Sequence, residues 1–173
     1  MSSFVFSTWA EAHVRALELA GALVDHLSHM GAHVSTAESC TAGLASALIA
    51  DVAGASQVLR GGMVTYTNEI KEQVLGVSHQ TLERFSAVSA ETAREMADGA
   101  RRVFSADYAL SFTGYAGPGG GDEHNSVGTV YIGLATPDHV VAHRFELQGD
   151  RRCVRYAAVV AGFELLLFQL TTS

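Results

Sequence analysis

A serine and a lysine in this chain occur where they could act as a nucleophile and its base. Ser39 lies in the segment 36–43, which runs from a predicted strand into a predicted helix. Free N–H groups and the positive dipole end at a helix start can stabilise an oxyanion or hold a phosphate. Lys71 is the only lysine, against ten arginines, and follows Tyr66 by five residues. Burial can make a lysine neutral, and a neutral lysine can accept the proton of a serine hydroxyl.

Each of these residues also has a purely structural interpretation. Ser39 or Thr41 could serve only as the N-cap of the helix that follows. Lys71 could be a solvated surface side chain beside a packed Tyr66. The spacing of the residues leaves these alternatives open.

Two further segments could bind an anionic substrate. Residues 113–121 are glycine-rich and follow another predicted strand, and consecutive backbone N–H groups in such a stretch can surround an anion. Arg151 and Arg152 begin the last predicted helix, with Arg155 one turn later, and a guanidinium fork fits a phosphate or a carboxylate. The alternatives are a flexible surface loop and a solvated helix start that is capped by Asp150.

The elements that must position these segments alternate between helices and strands. A capping box at 8–11 and helical spacing predict a first helix over 8–30, and Ser89 caps a later amphipathic helix. Further helices are predicted over 41–51, 68–75, 81–85 and 151–170. Strands are predicted over 33–37, 58–66, 107–113, 127–135 and 140–147, the last two as a hairpin. This pattern predicts one domain over residues 1–173, an α/β fold of the three-layer α/β/α sandwich type with a mixed, mainly parallel sheet.

Composition and charge argue against several classes of function. The 173 residues, 48% of them hydrophobic, can bury a core without a metal or a disulfide. The net charge of −7 argues against a nucleic-acid partner. No apolar stretch approaches the ~20 residues of a membrane span, and residues 1–9 lack the features of a signal peptide. We therefore expect a cytoplasmic protein with no membrane partner, in which Cys40 and Cys153 form neither a disulfide nor a metal site.

Several motifs in a fixed order carry a family resemblance over residues 12–170. The most specific are AESCTAG at 37–43, VTYTNE at 64–69 with Lys71, TGYAGPGGG at 113–121 and GDR at 149–151, with shorter matches at 51–54, 75–77, 87–89 and 127–130. The chain resembles the family of the C-terminal domain of the competence/damage-inducible protein CinA, whose stand-alone members include PncC-like nicotinamide-nucleotide amidases. The resemblance implies a homodimer that hydrolyses nicotinamide mononucleotide to nicotinate mononucleotide and ammonia without a metal or other cofactor.

The resemblance also assigns roles to residues. Ser39 is the implied nucleophile, and Tyr66 and Lys71 are its implied activators, with the order of proton transfer between these two left open. The backbone N–H groups of Cys40 and Thr41, at the start of the following helix, are expected to stabilise the oxyanion. Arg151 or Arg152 and the glycine loop are expected to hold the ribose phosphate. The expected substrate-binding residues are Cys40, Thr41, Gly43, Asn68, Thr113, Gly114, Gly117, Gly119, Gly120, Arg151 and Arg152.

The chain departs from the family pattern at three places. Ala42 replaces a glycine in the turn that contains Ser39, which narrows the space for backbone approach. Tyr115 stands where a smaller aliphatic residue is usual. Residues 122–125 replace a loop that usually carries Lys-Pro, which removes a positive charge near the expected substrate.

Two other functions are compatible with the sequence. The chain could be an inactive paralogue that binds a nucleotide or a partner without catalysis. It could also be a metal-dependent hydrolase built on some of its eight histidines. His26, His29 and His33 are close in sequence, but Gly31 ends the helix before His33, and His139 and His143 have no third partner.

Overall fold

Five strands form one mixed sheet at the centre of the protein. The structure is a computed structural model that describes residues 5–172. The strands are β1 (Val34–Glu38), β2 (Leu59–Val64), β3 (Tyr108–Gly114), β4 (Thr129–Ala135) and β5 (Val140–Glu146), in the order β2-β1-β3-β4-β5. β1 is parallel to β2 and β3, whereas β4 is antiparallel to β3 and β5. All strands except β4 therefore run in the same direction, and the mixed, mainly parallel sheet is confirmed.

The register of the three parallel strands brings their carboxyl ends to one edge of the sheet. Glu38, the last residue of β1, is level with Val64 in β2 and with Phe112 in β3. Ligands of open α/β sheets bind beyond such an edge. The segments that contain Ser39, Lys71 and the glycine loop all leave the sheet at this edge.

Helices cover both faces of the sheet, which confirms the three-layer α/β/α sandwich. The helices are α1 (Trp9–Met30), α2 (Leu44–Ala50), α3 (Asn68–Ile70, continued by a π-helical turn over Lys71–Leu75), α4 (His79–Phe85), α5 (Ala90–Val103) and α6 (Arg151–Thr172). α1, α2 and α6 share one hydrophobic core with the side chains of Phe112 and Ile132. Leu75, Leu82 and Met96 bring the π-helical turn, α4 and α5 into a second core on the opposite face.

The start of α2 is the predicted boundary that differs most from the structure. The helix begins at Leu44 and not at Thr41. Ala42 has a φ of 51° and Gly43 a φ of 87°, and this left-handed backbone cannot belong to a right-handed helix. Most other predicted bounds agree within two residues, and the caps expected at Thr8 and Ser89 are present.

Among the helices of residues 5–172, α6 alone has the length and hydropathy that a membrane span would require. Most of its apolar stretch is buried within the protein. Its side chains Val159, Phe163 and Leu166 belong to the core shared with α1 and α2. The apolar character of α6 is accounted for by this packing.

Candidate active site

Lys71 is buried beside Ser39 at the carboxyl edge of the sheet. The Lys71 side chain is 1% exposed, and its Nζ lies 3.2 Å from Ser39 Oγ. The same Nζ donates to the backbone carbonyls of Thr65 at 2.9 Å and of Tyr66 at 3.3 Å. Burial lowers the pKa of Lys71 to about 8, although the neighbouring Cys40 opposes this shift.

The three contacts of Nζ determine where its lone pair points. A charged ammonium has three N–H donors, and the three oxygen atoms satisfy all of them. A neutral amine has two N–H donors, which the carbonyls of Thr65 and Tyr66 retain. Its lone pair then points at Ser39 Oγ. Loss of a proton therefore converts Lys71 from a donor to Ser39 into an acceptor without movement of the side chain.

The local backbone explains how Lys71 reaches this position. Thr67 caps α3, because its Oγ1 accepts from the N–H of Ile70 at 3.4 Å. Lys71 then begins a π-helical turn that ends at Leu75, and Gly76 closes it with a φ of 71°. Single π-helical turns occur frequently at functional sites. This short element returns the lysine side chain to the end of β2, five residues after Tyr66.

The turn over residues 39–43 presents the serine, and we call it the serine turn. The N–H of Ser39 donates to the Phe112 carbonyl at 2.9 Å, which ties the turn to β3. The N–H of Ala42 returns to the Ser39 carbonyl at 3.2 Å. The expected oxyanion donors at Cys40 and Thr41 therefore lie in this turn and not in the first turn of α2, which corrects the sequence interpretation.

Glu38 is a buried carboxylate that the sequence analysis did not select. It accepts from the N–H groups of Ala45 at 3.1 Å and Ser46 at 2.9 Å, and from the hydroxyls of Thr36 and Ser46. These bonds fix the first turn of α2 against the end of β1. The sequence signal was a charged residue at the end of a strand whose other residues are uncharged, directly before Ser39.

Cys40, the neighbour of Ser39, is not activated as a nucleophile. Its thiol is buried, and burial raises its pKa to about 12. The thiolate is the reactive form of cysteine. In this turn, Ser39 is the side chain that hydrogen-bonds to Lys71.

Tyr66 contacts a different part of the site from the one expected. Its side chain is 55% exposed, and its hydroxyl accepts from Arg151 Nη2 at 3.1 Å. Arg151 Nη1 donates to the Gly117 carbonyl at 2.9 Å. The structure thus joins Tyr66, Arg151 and Gly117, whereas Tyr66 contacts Lys71 only through its backbone carbonyl.

A cavity of about 500 Å³ adjoins this triad. It lies between the glycine loop and the start of α6. Arg152 also borders it, but the Arg152 guanidinium stacks 3.4 Å from the ring centre of Trp9 in α1. Of the two arginines, Arg151 is the one that hydrogen-bonds to Tyr66 and to the glycine loop. The cavity is lined by Ala116, Gly117, Pro118, Val127, Gly149, Asp150, Arg151 and Arg152.

Of the other expected substrate-binding residues, some pack within the fold and others are exposed to solvent. The buried Thr113 hydroxyl donates to the Ala87 carbonyl at 2.6 Å. A Cβ at Gly114 would lie 2.5 Å from the Thr129 carbonyl oxygen, so this glycine allows strand contact. A Cβ at Gly119 would meet nothing within 4 Å, whereas one at Gly120 would contact Tyr115. Asn68 is exposed at the first position of α3, and Gly43 is the left-handed N-cap of α2.

Two of the three departures from the family pattern, Tyr115 and the loop over 122–125, interact with each other. The Tyr115 hydroxyl donates to Asp122 at 3.1 Å. Asp122 also accepts from the N–H groups of His124 at 2.8 Å and Asn125 at 2.7 Å. The N–H of His124, the largest contribution, and the other donors lower the pKa of Asp122. Hydrogen bonds to Asp122 thus hold the loop over 122–125 together and join it to Tyr115.

Histidines that were considered as metal ligands contact different parts of the protein. His26 Nδ1 lies 2.9 Å from the Ala22 carbonyl, and His33 Nδ1 lies 3.1 Å from Asp107 Oδ2. Within residues 5–172, no three side chains of His, Cys, Asp or Glu are grouped so that they could hold a metal ion. At the carboxyl edge of the sheet, a hydroxyl and an amine are instead paired, in Ser39 and Lys71.

The fold and this pair define the class of protein: an α/β/α sandwich with a serine–lysine pair at the carboxyl edge of its sheet. The family model of the CinA C-terminal domain matches residues 16–170. This chain belongs to that family.

Relatives and solved structures agree with this assignment. A CinA-like protein of Fervidobacterium nodosum is 43% identical over 133 residues, which are 77% of this chain and 33% of the relative. The chain spans about a third of the length of the curated relatives it matches. The crystal structure of the competence/damage inducible protein CihA from Agrobacterium tumefaciens is 37% identical, with a TM-score of 0.87 and coverage of 99% of this chain and 100% of that chain. A competence damage-inducible protein A from Klebsiella pneumoniae is 32% identical, with a TM-score of 0.88 and coverage of 91% and 98%.

Proposed function

We propose that this protein is an amidohydrolase that converts nicotinamide mononucleotide to nicotinate mononucleotide and ammonia. The observation that carries the proposal is the buried Lys71 amine, 3.2 Å from Ser39 Oγ, with a pKa lowered to about 8. A lysine with that pKa is partly neutral at physiological pH, and a base near the operating pH is the most effective. The family and its motifs supply the substrate class.

Acylation begins with proton transfer from the Ser39 hydroxyl to neutral Lys71. Ser39 Oγ attacks the carboxamide carbon, and the carbonyl electron pair moves to the oxygen. The N–H groups of Cys40 and Thr41 stabilise this oxyanion, and donors of this kind are typically worth about 3 kcal/mol each. The tetrahedral intermediate collapses, and Lys71 returns its proton to the departing nitrogen, which leaves as ammonia.

Deacylation repeats these steps with water. Lys71 takes a proton from water as the oxygen attacks the Ser39 ester. The second intermediate collapses to nicotinate mononucleotide, and Lys71 returns the proton to Ser39 Oγ. The atoms and charges balance with Lys71 as the only proton carrier, so the scheme requires no step through the Tyr66 hydroxyl.

The cavity between the glycine loop and the start of α6 is the proposed site of the ribose phosphate. Arg151 supplies a guanidinium that can bind the phosphate with a pair of hydrogen bonds. The N–H groups of the glycine loop, where Gly117 and Gly120 have positive φ values, supply further donors. A cytoplasmic location and a homodimer are parts of the proposal that rest on the sequence and the family resemblance.

A second candidate is a nucleotide-binding protein without catalysis. One observation favours it: Tyr115 and Asp122, which both depart from the family pattern, are hydrogen-bonded to each other beside the glycine loop, so this loop differs from that of the family. A changed loop can still bind a nucleotide and yet lose the substrate geometry that the reaction needs. Binding of the mononucleotide without release of ammonia would support this candidate.

The proposal is tested by following ammonia release from nicotinamide mononucleotide. We expect the parent chain to release ammonia, and the Ser39→Ala and Lys71→Met variants each to lose at least 1,000-fold in kcat, the order seen when a nucleophile or its base is removed. Ser35→Ala is the matched control, because the buried Ser35 hydroxyl has no hydrogen-bond partner among the described residues. A folded parent that releases no ammonia would refute the proposed activity.

A further inference from the structure

Arg155 reaches the serine turn from α6, which packs on the face of the sheet opposite to the π-helical turn that begins with Lys71. Its guanidinium extends from the second turn of α6 and donates to two consecutive backbone carbonyls. Nε lies 3.1 Å from the Cys40 oxygen, and Nη2 lies 2.6 Å from the Thr41 oxygen. The planar fork of an arginine suits two acceptors at fixed positions.

These contacts determine the direction of the oxyanion donors. In a planar trans peptide the C=O and the following N–H point in opposite directions. Because the Cys40 carbonyl points at Arg155, the Thr41 N–H points away from it. The Ser39 carbonyl is likewise engaged by the Ala42 N–H, so the Cys40 N–H points away from that bond.

Regular secondary structure does not fix these peptide planes. The serine turn precedes α2, and its residues Ala42 and Gly43 are left-handed. Glu38 fixes the N–H groups of Ala45 and Ser46, which lie after the turn. Arg155 is the side chain that binds the Cys40 and Thr41 carbonyls; the Thr41 carbonyl also accepts from the N–H of Leu44 at 3.3 Å.

We infer that Arg155 is a positioning residue for the oxyanion donors. It orients the Thr41 N–H directly, through the Cys40 carbonyl, and the Cys40 N–H indirectly, because it holds the Thr41–Ala42 peptide whose N–H binds the Ser39 carbonyl. Both N–H groups are thereby directed toward the oxygen of the reacting carbonyl. The inference rests on the proposed function, because it concerns the oxyanion of that reaction. Arg155 acts through the backbone and does not contact the substrate. Its loss therefore lowers kcat and leaves KM nearly unchanged, since the donors act most strongly on charge that develops in the transition state.

The test uses a fluorophosphonate, a probe that modifies activated serines and places its phosphoryl oxygen among the oxyanion donors. The rate of Ser39 modification in the full chain is followed by intact mass. We expect Arg155→Met to react about 100-fold more slowly than the parent, as for the loss of one oxyanion donor. Arg155→Lys should recover only part of the rate, because an ammonium retains the charge but not the fork. Arg144→Met, which removes an exposed arginine on β5, is the matched control and should react at the parent rate.

The same variants are then assayed with nicotinamide mononucleotide. We expect kcat to fall in parallel with the modification rate while KM stays within about threefold and the pH midpoint of activity is unchanged, because Lys71 keeps its surroundings. Parent-like modification of Arg155→Met, or full recovery in Arg155→Lys, would overturn the inference. A parent that is modified at Ser39 but releases no ammonia would refute the proposed substrate while the modification rates still test Arg155. A parent that is not modified at Ser39 would refute the serine mechanism and the inference together.

Discussion

At the scale of single residues, burial of Lys71 is unfavourable for stability but makes the amine a suitable base for Ser39. Taking an ammonium group out of water is unfavourable, and the pKa of Lys71, lowered to about 8, expresses that cost. The carbonyls of Thr65 and Tyr66 hold the amine where its lone pair meets Ser39. The sequence identified this lysine through its uniqueness and spacing, but burial depends on tertiary packing that spacing does not contain.

Tyr66 provides a prediction at the same scale. Because its hydroxyl contacts Arg151, Tyr66→Phe should change kcat by less than threefold and raise KM about 3- to 10-fold, an effect of roughly 1 kcal/mol. Steady-state kinetics of ammonia release measures both constants. Tyr131→Phe, whose hydroxyl contacts Asn125, is the control. A fall in kcat of about 100-fold or more would show that Tyr66 carries a proton in the reaction.

At the scale of elements, the connection between β1 and α2 determines the chemistry. Glu38 holds the start of the helix, the backbone of β3 holds Ser39, and Arg155 holds the carbonyls between them. The sequence predicted a strand, a serine and a helix in this order. It placed the helix start three residues early, because an alanine at position 42 gives no sign of left-handed backbone.

The alanine at position 42 should reduce stability. A non-glycine residue in the left-handed region costs about 1 kcal/mol, which a change to glycine would relieve. Part of this relief is offset because glycine loses more conformational entropy on folding. Ala42→Gly should therefore raise the free energy of unfolding by about 0.5 kcal/mol, measured by urea denaturation. Ala45→Gly, in the right-handed backbone of α2, should lower it by about 1 kcal/mol or more. Equal losses in both variants would contradict the assigned backbone strain.

At the scale of the whole molecule, the sheet order brings distant segments together. Ser39 and Lys71 leave neighbouring parallel strands, and Arg151 and Arg155 come from the last helix. Alternation of helices and strands predicted the sandwich and its carboxyl edge, because parallel strands joined by helices must place their ends on one side. This alternation did not predict which groups Arg151 and Arg155 would contact, since their positions depend on how α6 packs against α2.

The buried lysine also makes the stability of the molecule depend on pH. The pKa of Lys71 is about 8 in the folded state and about 10.4 when the chain is unfolded, so the unfolded state binds more protons between these values. Stability conferred by this residue should therefore rise with pH across that window, by at most about 1.4 kcal/mol per pH unit. Urea denaturation at pH 7.5, 9 and 10 should show the parent gaining stability relative to Lys71→Met. If the free energies of unfolding of the parent and of Lys71→Met changed equally with pH, this result would contradict the lowered pKa of Lys71.

The most direct test of the account is the pH dependence of kcat/KM for ammonia release from nicotinamide mononucleotide. If neutral Lys71 is the base, kcat/KM should rise about tenfold per pH unit below pH 8 and level off above it. The Lys71→Met variant should show no such rise. A parent profile that is flat from pH 6 to 9, or a rise that persists in Lys71→Met, would contradict the assignment of Lys71 as the base of Ser39.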